Sequence, residues 1–207
     1  MMTDIAMPVK GVKRQEPEWV VVAVVAIALL AGWLLKSWVE SRTTTFSNSD
    51  LTLSYPVTWL RELGEPEQGV LFAAQDVRSG SLYATHLSVR VADALSQVRQ
   101  ENVDPMLSAV TAWTFQRGQE LEGYRVLGTE AVQVDNIDGV RIDYAYVSDP
   151  IASPYRRALP VVVEAVDYLL PYQGKLYVIT LAADASRFEP EAGQFEALLR
   201  RVDFAGN

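Results

Sequence analysis

Alternation of hydrophobic and polar residues predicts β-strands over most of the chain after residue 50. Leu87, Val89 and Val91, for example, alternate with polar residues, the period of a strand with one buried face. Similar patterns predict strands at 51–55, 69–76, 83–93, 124–134, 140–147, 161–170 and 175–183. Turn residues in DNIDG and PYQG join neighbouring strands of the second half, which is typical of a meander of hairpins.

Two stretches have a helical period instead. Asp104 and Pro105 form an N-cap followed by proline at the first helical position, and Gly118 or Gly123 would end this helix. Its apolar stripe comprises Met106, Leu107, Val110 and Trp113, with Arg117 as a further member. A second helix is predicted from about 189 to 201 and a shorter one at 94–100. Strands interleaved with helices predict an α+β domain, an antiparallel β-sheet flanked by helices.

One apolar run of 21 residues, WVVVAVVAIALLAGWLLKSWV, differs from the rest of the chain. At about 1.5 Å per residue, a helix of this length spans roughly 31 Å, and a bilayer core is about 30 Å thick. Trp19 and Trp38 stand at its ends, as in an aromatic belt, Trp33 lies within it, and Lys36 can extend its charge to the boundary. We therefore predict an N-terminal transmembrane helix at 18–40.

A cleavable signal peptide is the alternative for this run. Signal h-regions are usually about 7–15 residues long, shorter than this one, so we expect a retained anchor. Three basic residues precede the anchor and two flank its C-terminal side, which favours a cytoplasmic N-terminus. The predicted organisation is a cytoplasmic tail at 1–17, the helix at 18–40 and an extracytoplasmic domain at 41–207 of a single-pass cell-membrane protein.

Charge and cysteine content exclude several functions. From Thr43 to Asn207 there are 22 Asp and Glu against 13 Lys and Arg, so the formal charge of this region is −9. Nucleic-acid binding is not expected, because phosphates require clustered basic residues. The chain has no cysteine, which removes thiol catalysis, thiolate metal sites and a lipid-anchored lipoprotein.

Residues suited to catalysis or metal binding are few. His86, the only histidine, falls on the polar face of its predicted strand, where we expect a solvated imidazole. Asp135, Asp138 and Asp143 suggest calcium, but Ile137 breaks the EF-hand spacing, so calcium is not expected. Glu164 and Asp167 should face opposite sides of one strand and make no acid–base pair. We predict no catalytic, cofactor-binding or metal-binding residues.

Two features are candidates for contacts with partners. The connection at 148–160 is longer than a normal hairpin and presents Tyr155, Arg156 and Arg157, residue types favoured at interface hot spots. A plain surface loop is the alternative. In the apolar run, Ala28 and Gly32 form a small-xxx-small pair that would let another helix approach.

The stretch LTLSYPVTWL contains a Tyr-Pro-x-x-Trp corner. Pro56 has no N–H for a strand ladder and favours an extended Tyr55, so it suits the end of a strand. Trp59 can then fold back onto the core. We predict a structural corner, with ligand contact as the alternative.

Three stretches resemble the PsbP-like family, which is named for an extrinsic lumenal subunit of the oxygen-evolving photosystem and includes many bacterial relatives. They are LTLSYPVTW, GKLYVITLAA and FEALLRRVDF. The resemblance implies an α/β/α sandwich and a non-enzymatic role, docking on or stabilising a membrane complex from the exported side. A membrane anchor departs from the soluble photosystem subunit, and no metal ligands of the family can be matched here.

The leading hypothesis is a membrane-anchored subunit that contacts the lipid bilayer through residues 19–39. It would be an accessory, stabilising or assembly subunit of a larger membrane complex, with a bioenergetic complex as one case. The alternative is an exported ligand-binding or sensing module, with a pocket lined by Tyr144, Tyr146 and Tyr168. An enzymatic function would require a carboxylate pair or a His86 dyad inside a cleft.

Overall fold

The structure is a computed structural model that describes residues 18–40, 42–62, 69–92, 104–149 and 159–205. In the first helix, side chains are described from Trp19 to Leu35. The chain divides into two compact units, Met1–Arg42 and Thr43–Asn207. The predicted tail at 1–17 and the predicted short helix at 94–100 lie outside the described residues.

The first unit contains helix α1, Glu18–Glu40, which coincides with the apolar run. Alanine and leucine are strong helix formers, and the valines and isoleucine among them are tolerated. Eleven large apolar side chains of this helix are exposed, including Trp19 and Trp33. Over the residues whose side chains are described, no helix of the chain is long and apolar enough to cross a membrane.

The second unit contains ten strands and two helices among its described residues. The strands are β1 (Thr43–Ser47), β2 (Leu51–Pro56), β3 (Leu60–Glu62), β4 (Val70–Asp76), β5 (Thr85–Ala92), β6 (Arg125–Val134), β7 (Ile137–Ser148), β8 (Val161–Tyr172), β9 (Lys175–Asp184) and β10 (Asp203–Phe204). The helices are α2 (Pro105–Glu120) and α3 (Phe188–Leu199). Each predicted strand and both longer predicted helices are therefore present, with ends that shift by a few residues.

The strands form two antiparallel sheets. Seven strands pair in the order β3-β4-β5-β9-β8-β7-β6, and three pair in the order β1-β2-β10. In the larger sheet, strands adjacent in sequence pair with each other, except that β5 pairs with β9 instead of with β6. The pattern predicts a single sheet, whereas β1, β2 and β10 form a second one. Strand β10 could not be predicted from alternation, because it is only two residues long.

Alternate residues of the central strands face opposite sides, so the larger sheet buries two cores. On the side that we call the α2 face, Trp113 of α2 packs near Tyr144. On the opposite side, the α3 face, Phe195 of α3 and Leu53 of the smaller sheet pack in one core with Tyr168. The domain is α+β, an antiparallel sheet flanked by helices, as predicted.

Helix α2 begins where its sequence signal predicts. The Asp104 carboxylate accepts a hydrogen bond from the N–H of Met106 at 2.8 Å, and Pro105 takes the first helical position. The helix continues past Gly118 to Glu120. Gly118 is thus an interior residue, and the first of the two predicted end points is wrong.

The Tyr-Pro-x-x-Trp corner joins the two sheets. Tyr55 is buried near the end of β2, and the chain enters the larger sheet at β3 only a few residues later. The N–H of Trp59 donates to the carbonyl of Pro56 at 3.1 Å, and the Trp59 ring is half-buried against the core. This placement is compatible with the structural corner, which stays a prediction.

Candidate functional site

A carboxylate lies in the middle of the larger sheet. Asp167 of β8 pairs with Ile142 of β7 and Thr180 of β9, and its side chain is 1% exposed. Ala165 and Leu169, its neighbours on the α2 face of β8, are buried and apolar. A carboxylate in such surroundings costs several kcal/mol unless it is paired and hydrogen-bonded.

Four donors satisfy this carboxylate. Oδ1 accepts from Thr180 Oγ1 at 2.6 Å and from Tyr144 Oη at 3.1 Å. Oδ2 accepts from Trp113 Nε1 at 2.7 Å and, at a longer 3.4 Å, from Arg117 Nε. Arg117 Nη2 also donates to Tyr144 Oη at 2.8 Å. We call these five residues the Asp167 cluster.

Protonation in the Asp167 cluster is set by burial and by its charges. Burial alone would lower the pKa of Arg117, but Asp167, Tyr144 and Glu120 outweigh burial and hold that pKa above its usual range. Burial, reinforced by the Asp167 charge, raises the pKa of Tyr144 well above its ordinary value. Arg117 therefore stays a cation and Tyr144 a neutral hydrogen-bond donor at physiological pH.

The Asp167 cluster is arranged to hold structure together. A general base needs an acceptor that points at substrate, whereas both carboxylate oxygens of Asp167 here accept two bonds each from the protein. Because Trp113 and Arg117 belong to α2 and the other members belong to the sheet, the bonds fix α2 on that face.

An open groove of about 510 Å³ lies on the α3 face, between the β6–β7 turn and α3. The turn residues Asp135 and Asn136 have φ values of 47° and 59°, as in a type I′ hairpin turn. Asp135 Oδ2 accepts from the N–H of Phe204 at 2.7 Å, which ties the turn to β10. The groove is lined by Val132, Gln133, Val134, Asp135, Asn136, Tyr168, Glu196, Leu199 and Arg200.

This architecture is similar to that of solved structures, although no match is found at the level of sequence. No protein-family model matches the chain, and no curated protein sequence matches it. The solution structure of cyanobacterial PsbP (CyanoP) from Synechocystis sp. PCC 6803 is similar, with a TM-score of 0.53 at 15% identity, covering 78% of this chain and 92% of that one. The domain has a PsbP-like fold.

Two further solved structures show weaker likeness. A Pseudomonas aeruginosa protein of unknown function gives a TM-score of 0.48 at 11% identity, covering 77% of this chain and 95% of that one. LpqN of Mycobacterium tuberculosis, which is involved in cell envelope biogenesis, gives a TM-score of 0.49 at 10% identity. The match covers 79% of this chain and 90% of that one. At such identities the likeness concerns the fold alone.

The aromatic pocket predicted for a ligand-binding module does not form as expected. Tyr144 and Tyr146 belong to the core of the α2 face, whereas Tyr168 lies on the α3 face of the PsbP-like domain. Tyr146 Oη and Tyr83 Oη are instead hydrogen-bonded at 2.7 Å. The three tyrosines cannot line one pocket, because strand alternation directs Tyr168 to the other side of the sheet.

His86 is less solvated than its polar strand face suggests. Its side chain is 35% exposed, and Nε2 lies 3.6 Å from Glu62 Oε2. Burial, with Arg90 adding to it and Glu62 opposing it, lowers the pKa of His86 below its ordinary value. The imidazole is therefore half-buried beside Glu62, so it is less solvated than predicted but still reaches solvent.

The three carboxylates that suggest calcium in the sequence, those of Asp135, Asp138 and Asp143, have separate partners. Asp138 accepts from Gln133 at 3.0 Å, and Asp143 pairs with Arg141 at 2.9 Å. Asp135 bonds to the backbone of β10. Among the described residues, no three His, Asp or Glu side chains come together in a way that could hold a metal ion.

The predicted contact residues are only partly described. Trp19, Trp33, Ala28 and Gly32 lie on the exposed surface of α1, and a Cβ added at Gly32 would meet nothing within 4 Å. The remaining predicted residues fall outside the described residues or, within α1, outside the described side chains. They are Lys36, Trp38, Tyr155, Arg156 and Arg157.

Sequence reasoning missed the Asp167 cluster although two signals were present. Asp167 interrupts the apolar strand VVVEAVDYLL, and Arg117 continues the apolar stripe of α2. Each signal is a charged residue at a position that the hydrophobic pattern predicts to be buried. Opposite charges at two such positions indicate a buried ion pair, but the sequence does not show which strand faces the helix.

Proposed function

We propose that this chain is a non-enzymatic accessory subunit, anchored to a membrane, whose PsbP-like domain docks on or stabilises a larger membrane protein complex. The observation that carries the proposal is a helix with exposed apolar side chains in the same chain as a PsbP-like domain. The resemblance to the PsbP-like family suggests the accessory role, and the apolar helix suggests the anchor.

The proposed anchor extends from Trp19 to Val39. Ten of the residues between Val20 and Leu35 are Val, Ile or Leu. At about −0.3 to −0.6 kcal/mol each near the centre of a helix, they favour insertion by about 3–6 kcal/mol. Leaving eleven large apolar side chains of α1 in water would be unfavourable, so a lipid environment explains their exposure.

A charge-insertion experiment tests the anchor. In the full chain, Val25→Arg combined with Leu29→Arg should cost about 5–7 kcal/mol of insertion free energy and release the protein during alkaline extraction of membranes. The matched control adds the same charges at exposed positions of α2, Leu107→Arg with Phe115→Arg. Wild-type protein that is itself released by alkali would overturn the anchor.

The proposed orientation places the N-terminus in the cytoplasm and the domain on the exported side. Because the natural chain has no cysteine, single introduced cysteines report their own location. Gln119→Cys, at an exposed position of α2, should react with a membrane-impermeant maleimide on intact cells. Thr3→Cys should react only after permeabilisation, and the reverse pattern would invert the topology.

The accessory role is tested by extraction in mild detergent followed by native electrophoresis. The expected result is co-migration with a large membrane assembly and loss of that assembly, or of its stability, when the gene is deleted. Migration only as the free chain or as an oligomer of this chain alone, at all growth stages, would rule out the accessory role.

The open groove on the α3 face favours a second candidate, an exported ligand-binding module. Its lining combines apolar Val132 and Leu199 with the charges of Glu196 and Arg200. This function predicts a bound small molecule in native mass spectra of the purified full chain, lost in Val132→Trp, which would fill the groove. Identical spectra for both proteins would count against it.

A further inference from the structure

Among the strands that the structure describes, β6 forms one edge of the larger sheet. This strand has ten residues, of which seven are exposed, whereas β3 at the other edge has three residues. A long exposed edge strand presents unpaired backbone donors and acceptors, which readily add another strand. The faces and charges of the β6 side chains indicate which strand could pair with this edge.

A bulge changes which residues of β6 share a face. Val126 lies opposite Tyr144 and Gly128 lies opposite Asp143, so Leu127 is an extra residue between them. As a result Val126 and Thr129 are both on the α2 face, although they are three positions apart.

The residues on either side of this pair are oppositely charged. Arg125 lies opposite Ala145 and Glu130 lies opposite Arg141, so both are on the α3 face. From Arg125 to Glu130 the strand is therefore self-complementary when a copy of it is turned through 180°.

We propose that two copies of this chain associate through β6, paired antiparallel about a two-fold axis between Leu127 and Gly128. In this register Arg125 of each copy lies opposite Glu130 of the other, and Val126 lies opposite Thr129. The two bulges then meet at the axis, so every opposed pair outside the bulges shares a face, as an antiparallel ladder requires.

The charges around Glu130 favour this partner. Arg141 is the cation for three carboxylates, Asp143 at 2.9 Å, Glu130 at 3.2 Å and Glu196 at 3.7 Å. A second copy would bring its Arg125 to this carboxylate-rich surface. None of the described ion pairs involves Arg125 within its own chain.

Charges on an edge strand often prevent pairing, but here their positions match. Like charges facing each other would destabilise a strand pair, whereas cross-strand opposite charges stabilise it. The two-fold axis duplicates the Arg125–Glu130 pair, so each association would form two ion pairs. This inference is independent of the anchor and of the accessory role.

Disulfide crosslinking of the full chain in mild detergent tests the register. Opposed residues of an antiparallel pair have Cα atoms about 4.5–5.5 Å apart, within the range of a disulfide. Co-expressed Val126→Cys and Thr129→Cys chains, carrying different tags, should therefore form a mixed disulfide dimer on oxidation. Each variant expressed alone should stay uncrosslinked, because its two cysteines would be offset by roughly 10 Å along the strand.

Ala131→Cys is the control for register. It would crosslink to itself only if the strands paired about an axis through residue 131. A mixed Val126–Thr129 disulfide supports the proposal, and a self-crosslinked Ala131→Cys, or no disulfide in any sample, overturns it.

Charge reversal tests the ion pairs without introducing a covalent bond. Arg125→Glu should weaken self-association by about tenfold in sedimentation experiments at low salt. Adding Glu130→Arg should restore association, since both opposed pairs again have opposite charges. Arg78→Glu, an exposed change of the same charge on the β4–β5 turn, should have no effect. Equal weakening by Arg78→Glu, or no rescue by the double variant, would overturn this pairing.

Discussion

The two faces of the larger sheet are held by different kinds of interaction. On the α2 face, a buried carboxylate and its four donors join the helix to the strands. On the α3 face the contacts are mainly apolar and aromatic: the rings of Tyr168 and Phe195 meet edge-on with centroids 5.7 Å apart, and Tyr55 lies 4.7 Å from Phe72. One face depends on matched charges and the other on matched volumes.

This difference predicts opposite responses to substitutions that preserve shape. A hydrogen-bonded ion pair in a core has a defined chemistry, so a neutral group of the same size leaves its partner unpaired. An apolar core tolerates residues of similar volume, because dispersion and burial depend little on atom identity. Near-isosteric variants therefore separate the two faces better than alanine does.

The largest effect is expected from Asp167→Asn. The variant keeps the shape of the side chain but removes the charge that compensates Arg117, and its amide group directs a donor at side chains that also donate. We expect a loss of about 3–5 kcal/mol in the free energy of unfolding. Urea unfolding of the full chain in mild detergent, followed by near-ultraviolet circular dichroism, measures this change.

Two control variants identify the source of that loss. Thr180→Val removes one neutral donor and should cost about 1 kcal/mol. Asp167→Leu combined with Arg117→Met removes both charges and should be more stable than Asp167→Asn, because no unpaired charge stays buried. A double variant less stable than Asp167→Asn would show that the unpaired charge of Arg117 is not the main source of the stability lost in Asp167→Asn.

A smaller effect is expected on the α3 face from Phe195→Leu. Phe195 is 2% exposed, so the change removes part of a ring from a packed core without leaving a polar group unsatisfied. We expect a loss of about 1–2 kcal/mol, measured in the same urea experiment. If this variant lost as much stability as Asp167→Asn, the contrast between the two faces would fail.

The fold could be predicted largely from periodicity. A strand such as β5 has one buried face, and the period of two locates it even though its ends shift by a residue or two. Helix α2 could be placed from Asp104 and Pro105 because N-capping is local chemistry. The pairing of β9 with β5 could not, because four other described elements lie between them in the chain.

The candidate site was far less predictable. A pattern of alternating residues gives the parity of Asp167 but not its four donors, which come from α2, β7 and β9. The predicted tyrosine pocket is wrong for the same reason. Alternation does not give the register between β7 and β8, so it does not show that Tyr168 faces the opposite side from Tyr144 and Tyr146. Half-burial of His86 also depends on register, which brings Glu62 to it from across β4.

The smallest effect is expected from pH, and it concerns a polar group that is only half-buried. Burial lowers the pKa of His86 below its ordinary value of 6.5. Between the lowered folded pKa and 6.5, the unfolded chain therefore binds more protons than the folded one. Stability should fall as pH decreases through this window, and the deficit is complete below the folded pKa.

The measurement is the dependence of the urea midpoint on pH between 7.5 and 5. Because His86 is the only histidine, His86→Gln should remove the slope that it contributes, which corresponds to at most one proton. Arg117 and Tyr144 should contribute no slope in this range, since both keep their protons throughout. An unchanged slope in His86→Gln would assign the pH response to other groups and remove His86 from the comparison.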